Sequence, residues 1–271
     1  MAKVLVVTSG KGGVGKTTST AALGAALAKA GKNVVVVDFD VGLRNLDIVM
    51  GAERRVVFDM INVIQGDAKL SQALIRDKRI ETLSILPASQ TRDKDALTSE
   101  GVAKVIAELR EKFDWVICDS PAGIERGASL AMHHADVAVI VTNPEVSSVR
   151  DSDRIIGLLD SKTEMAARGE RIEKHLLLTR YDPVRAARGD MLKTEDVLEI
   201  LSIPLLGIIP ESSEVLRASN IGTPVVLSNP DAAPARAYMD AARRLLGEKL
   251  PMVIPGEKRS FITKLFGRRV A

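Results

Sequence analysis

Gly10, Lys11, Gly12, Gly13, Val14, Gly15, Lys16 and Thr17 follow the pattern GxxxxGK[ST]. These residue types at this spacing bind a phosphate chain. Glycines let successive backbone N–H groups curl around phosphate oxygens, and a helix opening there adds partial positive charge. Lys16 can reach the β- and γ-phosphates, and the Thr17 hydroxyl can ligate Mg²⁺. Thr18 completes the candidate nucleotide-binding run from Gly10. The pattern alone does not separate ATP from GTP.

Three carboxylates stand where they could serve such a site. Asp38 and Asp40 close the run VVVVDFD, and Asp119 closes WVICD. Ligands of a parallel sheet sit at the C-terminal ends of its strands, where a carboxylate can position water or hold a metal shell. Asp119 reads as a Walker B-like acid that holds Mg²⁺, often through water. It also fits the N-cap of a following helix, and the glycine loop tips the reading to the metal. It opens Asp119-Ser120-Pro121-Ala122-Gly123, a turn whose Gly123 N–H could sense a γ-phosphate.

The elements that must hold these residues alternate along the chain. Lys3–Thr8, Asn33–Phe39, Leu83–Leu86, Trp115–Cys118, Val137–Thr142, His175–Thr179 and Leu205–Ile209 read as buried strands. Helical composition marks Lys16–Ala30, Thr98–Lys112, Val146–Leu159, Thr194–Leu201 and Ala235–Leu246. Ser161–Glu173 reads as a solvated loop. The alternation predicts a doubly wound α/β fold, its mostly parallel sheet covered by helices on both faces.

Composition excludes other chemistries. One cysteine, Cys118, in 271 residues leaves no support for disulfide scaffolds, Cys-rich zinc sites or Cys-ligated clusters within one chain. His133, His134 and His175 lack metal-ligand spacing. Cys118 and Trp115 read as core. The N-terminus lacks a signal peptide, and no run approaches the roughly 18 apolar residues of a membrane span, so a cytoplasmic location is expected. From Lys249 onward there are six basic residues and one acid, a net +5 that leaves −2 on residues 1–248. A specific nucleic-acid partner is therefore not expected.

The segment SGKGGVGKTT resembles the deviant Walker A motif of the MinD/ParA family of P-loop ATPases. DFDVGLRNLDIVMG, ERRVVFDMINVIQGD, ILPASQTRDKDALT, CDSPAGIERGA, TNPEVSSVRDSDRI and LLLTRY resemble its MinD branch in particular. The resemblance spans nearly the whole chain. It implies a P-loop fold of SIMIBI type and an ATPase that uses ATP and Mg²⁺ and pairs as a homodimer when ATP is bound. Lys11 would then reach across to the partner's nucleotide, Lys16 would bind phosphate, and Asp40 would orient the attacking water beside Asp38. Arg180 and the turn Pro210–Glu211 would contact adenine. The helix Glu145–Arg154 would bind the division inhibitor MinC and the topological factor MinE, or another such factor. Family alternatives are ParA-type partition ATPases and flagellar-number regulators. The −2 body disfavours the first, and ERRVVFD and SQTRDKDALT disfavour the second. A lone cysteine disfavours nitrogenase iron proteins and Mrp-type cluster carriers.

The last segment reads as a separate device. Residues 1–249 form the expected ATPase domain, 250–259 a Pro/Gly linker, and 260–271 an amphipathic membrane-targeting helix. At about 100° per residue, Phe261, Ile262, Leu265 and Phe266 share one face, with Lys264 and Arg268 beside it. Bulky apolar residues with basic flanks suit an anionic membrane surface, here the cytoplasmic face of the inner membrane, bound reversibly.

Overall fold

Apolar runs without polar alternation form strands buried on both faces, and strands of this kind make up the centre of an eight-stranded sheet. In chain order the eight strands are β1 (Lys3–Thr8), β2 (Val34–Asp38), β3 (Ile75–Arg76), β4 (Leu83–Leu86), β5 (Trp115–Asp119), β6 (Val137–Thr142), β7 (Glu173–Tyr181) and β8 (Leu205–Pro210). The computed structural model describes residues 2–90 and 94–256. The strands form one sheet in the order β3-β4-β2-β5-β1-β6-β7-β8. All pairings are parallel except that of the edge strand β3 with β4.

β1 shows why both faces need cover. Val4 and Val6 enter one apolar cluster, Leu5 and Val7 the other, and all four are fully buried. Helices Ser99–Lys112, Arg126–His133, Val146–Lys162 and Thr194–Leu201 contribute to the first cluster. Lys16–Lys29 and Ala233–Leu245 contribute to the second. This is the doubly wound architecture expected from the alternation of elements.

Three details differ from the sequence reading. β3 is only two residues long, too short for any periodicity to register. β7 runs from Glu173 to Tyr181, longer at both ends than its apolar centre suggested. Ser161–Glu173 is a solvated loop only in part: Arg168–Arg171 are exposed and lie outside helices and strands, but the residues before them are helical. The preceding helix continues to Lys162, and Glu164–Ala167 adds another turn. Thr163 is the reason: its hydroxyl donates to the Leu159 carbonyl at 3.1 Å and accepts the Ala166 N–H at 3.1 Å. Thr163 and Ile172 are both buried.

Residues 250–256 lie along the body. The Arg244 guanidinium donates to the Leu206 and Pro251 carbonyls, both at 2.8 Å, and Ile254 packs on the first cluster. The rest of the expected linker and the expected helix 260–271, with Phe261, Ile262, Lys264, Leu265, Phe266 and Arg268, lie outside the described residues. Among the described residues no helix is long and apolar enough to cross a membrane.

Candidate functional site

The glycine loop joins the end of β1 to the helix Lys16–Lys29, at the C-terminal edge of the sheet. Gly15 caps that helix with φ 94°, a left-handed conformation that favours glycine. Gly10 is constrained by space: a Cβ there would lie 2.2 Å from the Asp151 carbonyl oxygen. The start of the loop is thus pressed against the helix Val146–Lys162.

Lys16 is buried, and its ammonium donates to Ser9 Oγ at 3.0 Å. Ser9 Oγ in turn donates to the Lys11 carbonyl at 2.7 Å. Burial lowers the Lys16 pKa, partly opposed by the negative charges of Asp119 and Asp40. Asp119, also buried, accepts the Thr20 hydroxyl at 2.9 Å and a hydrogen bond from the Thr17 side chain. Burial pushes its pKa up to about 6 despite those bonds and Lys16. Asp38 pairs in register with Asp119 across β2 and β5. It accepts the Asp40 N–H at 2.8 Å and the Leu46 N–H at 3.2 Å. Burial, then the charge of Asp119, holds its pKa well above the carboxylate range. Asp40 is partly exposed and acts electrostatically on Lys16, Asp38 and Asp119.

Asp119 is not a helix cap, because the next helix begins at Arg126 with Glu125 as its N-cap. Thr17 and Asp119 are hard oxygen donors already in hydrogen-bond contact, a set that suits Mg²⁺. Gly123 has φ 83°, and its N–H donates to the Ser9 carbonyl at 3.1 Å, so sensing a phosphate would require exchanging that bond.

Lys11 points away from this cluster. Its ammonium meets Glu145 Oε2 at 3.2 Å and Ser147 Oγ at 3.1 Å. Glu145 is the N-cap of the helix Val146–Lys162.

Beside the loop a cleft of about 210 Å³ is lined by Gly13, Val14, Gly15 and Thr18 and, across it, by Arg180, Pro210 and Glu211. Arg180 carries φ 55°, left-handed for a non-glycine residue, and pairs with Glu211 at 3.1 Å. The sequence reading missed Thr179 and Tyr238, which also line the cleft. Thr179 Oγ1 donates to the Val14 carbonyl at 2.7 Å. Tyr238 Oη lies 3.0 Å from Ser19 Oγ, and burial pushes its pKa up to about 12. No local pattern marks Tyr238, which the last helix brings in. Ser9 carried a signal, since it directly precedes the glycine run.

The CobQ/CobB/MinD/ParA nucleotide-binding domain matches residues 5–225. The septum site-determining protein MinD of Escherichia coli K12 is 64% identical over 98% of this chain and 100% of its own length. The Aquifex aeolicus MinC:MinD cell division protein complex includes a chain with TM-score 0.83 and 43% identity, covering 93% of this chain and 99% of that one. The Pyrococcus horikoshii septum site-determining protein, complexed with Mg-ADP, gives TM-score 0.80 and 31% identity, over 90% of this chain and 96% of its own. With a phosphate loop, three strand-end carboxylates and these relatives together, the chain belongs to the MinD family of cell-division proteins.

Proposed function

We propose that the chain hydrolyses ATP to ADP and phosphate, and that ATP binding controls pairing and membrane attachment in placing the division septum. The observation that carries this is the glycine loop, with buried Lys16 on Ser9 and Thr17 on Asp119, opening into the cleft lined by Arg180, Pro210 and Glu211. In this reading Gly10–Thr18 cradle the phosphates, and Lys16 stabilises charge on the transferring group. Bound Mg²⁺, held by Thr17 and by Asp119 through water, would neutralise phosphate charge. Asp40 positions the attacking water, Asp38 supports the turn that carries it, and Gly123 exchanges Ser9 for the γ-phosphate. Arg180, Pro210 and Glu211 hold the base. The Mg-ADP bound to the Pyrococcus horikoshii relative supports this assignment.

Lys11 supports the pairing step. We read its contacts with Glu145 and Ser147 as the arrangement of the lone subunit. In the pair Lys11 would leave them for the partner's nucleotide, and Glu145–Arg154 would be freed for MinC and for MinE or another topological factor. The Aquifex aeolicus complex supports a MinC-type partner.

The division into 1–249, 250–259 and 260–271 completes the cycle. Four apolar side chains at about 1.5–3 kcal/mol each contribute at most about 6–12 kcal/mol, and less where the membrane surface buries them only in part. Folding so short a helix takes back part of that. One tail therefore binds weakly, while two tails on an ATP-bound pair bind jointly at high effective concentration. The protein would thus be cytoplasmic and reversibly peripheral on the inner membrane. Cosedimentation with phosphatidylglycerol-containing vesicles tests this. ATP should bring the full chain down and ADP should not, and removing residues 260–271 should abolish the effect. Equal sedimentation with the two nucleotides refutes the switch.

A further inference from the structure

We propose that Arg79 is a positioning residue for ATP hydrolysis: it couples the base side of the nucleotide cleft to the segment that carries Asp40. With the cleft as the ATP site, the reading on which this rests, Arg79 stands between the two halves of that site. Its guanidinium joins three separate stretches of chain. Nε and Nη2 donate to the two oxygens of the buried Asp77 carboxylate, at 3.0 and 2.6 Å. Nη2 also donates to the Met50 carbonyl at 2.8 Å. Nη1 donates to the Gly222 carbonyl at 3.0 Å and to Thr223 Oγ1 at 2.7 Å. Fixed by Asp77, the planar fork thus spans the end of the helix Leu46–Val49 and the turn that follows the helix Ser213–Asn220.

Each of those helices runs to one half of the site. Val215, Leu216 and Ser219 line the cleft beside Glu211. The Ser219 carbonyl accepts the Gly222 N–H at 3.1 Å, and the Gly222 carbonyl is the one that Arg79 holds. On the other side Met50 is the C-cap of the helix Leu46–Val49, and its N–H donates to the Leu46 carbonyl at 3.0 Å. The Leu46 N–H donates to Asp38 Oδ2 at 3.2 Å, and Asp38 Oδ1 accepts the Asp40 N–H at 2.8 Å. Hydrogen bonds and short helices therefore lead from the base cleft to Asp40, with Arg79 in the middle.

The joint has little room to give. Gly51 and Gly222 meet there with φ 64° and 63°. A Cβ on Gly51 would lie 2.6 Å from the Gly222 carbonyl oxygen, and one on Gly222 would lie 2.7 Å from the Gly51 Cα. Backbones packed this closely move together rather than past each other. Base binding that orders the helix Ser213–Asn220 is thereby passed to the helix Leu46–Val49 and on to Asp40. Binding energy from a part of the substrate remote from the reaction is used to place the attacking water. The Arg79 side chain is itself 31% exposed and is not part of the core.

Hydrogen exchange on the full chain, with and without Mg-ADP, tests the coupling apart from hydrolysis. In the parent, ADP should slow exchange in residues 10–18, 215–220 and 46–52. In Arg79→Ala the first two effects should remain, and the protection of 46–52 should fall by at least about 5-fold. Arg79→Lys keeps a cation beside Asp77 but cannot span Met50 and Gly222 together, so it should do the same, and it decides the matter if the alanine variant does not fold. ATP and ribose 5-triphosphate, which lacks the base, give the kinetic reading. The parent's single-turnover rate at saturation should fall by about 10-fold without the base. That ratio should approach one in either variant, whereas a purely structural loss would lower both rates alike. Protection of 46–52 that survives both substitutions, or a base effect on rate of unchanged size, overturns the coupling. Failure of ADP to protect residues 10–18 in the parent overturns the ATP site itself, and the coupling with it.

Discussion

The two ends of the sheet treat charge in opposite ways. At the N-terminal end of the strands Asp136 meets its complement. Asp136 accepts the Val4 N–H at 2.8 Å and pairs with Arg110 at 2.9 Å, and Arg110 also donates to the Ala2 and His134 carbonyls, both at 3.0 Å. At the C-terminal end two buried carboxylates, Asp38 and Asp119, sit side by side with one buried lysine, and both have raised pKa values. One end is neutralised from within. The other is left in electrostatic conflict, as expected where a phosphate chain and a cation supply the missing charges.

Asp40→Ala probes the strained end most severely. Losing a water-positioning carboxylate should lower kcat by about 10²–10⁴-fold. ATP binding and pairing should survive, since Asp40 holds neither phosphate nor base in our reading. Single-turnover hydrolysis beside nucleotide titration measures both. Near-parental turnover would remove Asp40 from the mechanism.

Asp119→Asn inverts the usual outcome for a buried polar substitution. It removes a carboxylate whose pKa stands at about 6, against a usual 3.8. At about 1.4 kcal/mol per pKa unit, nucleotide-free protein should gain up to about 3 kcal/mol at neutral pH. Loss of some of the Thr17 and Thr20 bonding will reduce that gain. Mg²⁺-dependent hydrolysis should collapse in the same variant. Thermal unfolding without nucleotide decides the point. A lower Tm would mean that Asp119 is held by its partners rather than against burial, and the contrast between the two ends would fail.

Arg110→Ala tests the other end and should give the opposite pair of results. It leaves Asp136 without its cation and two carbonyls without a donor. A loss of about 1–3 kcal/mol is expected, because these groups are only partly buried. Nucleotide affinity should not change. Denaturant titration and ATP binding on one preparation measure both, and altered ATP affinity would show that the two ends are coupled.

The strained end was legible in the sequence because its chemistry is local. The glycine loop, VVVVDFD and WVICD each carry their candidate site residues within a few positions of a strand end. The neutralised end was not. Arg110, Asp136 and Ala2 meet only once β1, β6 and the helix Ser99–Lys112 are packed, and no spacing announces that. The same holds for Tyr238, which reaches the cleft from the last helix. Helix Lys16–Lys29 is a further case. It is buried nearly all round, so composition and the Gly31 stop marked it, not an apolar stripe.

Acidity gives the smallest effect and the most direct reading of the comparison. A carboxyl with a raised folded-state pKa binds more protons folded than unfolded between the two pKa values. Its favourable contribution is therefore complete below about pH 4 and is lost as pH rises through about 6. Asp38 acts in the same direction. Asp77 acts oppositely and in another window. Burial would raise its pKa, but the Arg79 hydrogen bonds and charge outweigh this, so its contribution is lost only as pH falls below the usual carboxylate value. The difference in Tm between Asp119→Asn and the parent, without nucleotide, should thus be largest at neutral pH. It should shrink as pH falls from about 6 and nearly vanish by about 4, at no more than about 1.4 kcal/mol per pH unit. A difference that stayed constant across that range would place its origin in the lost Thr17 and Thr20 hydrogen bonds, and the conflict of charges would no longer distinguish the two ends of the sheet.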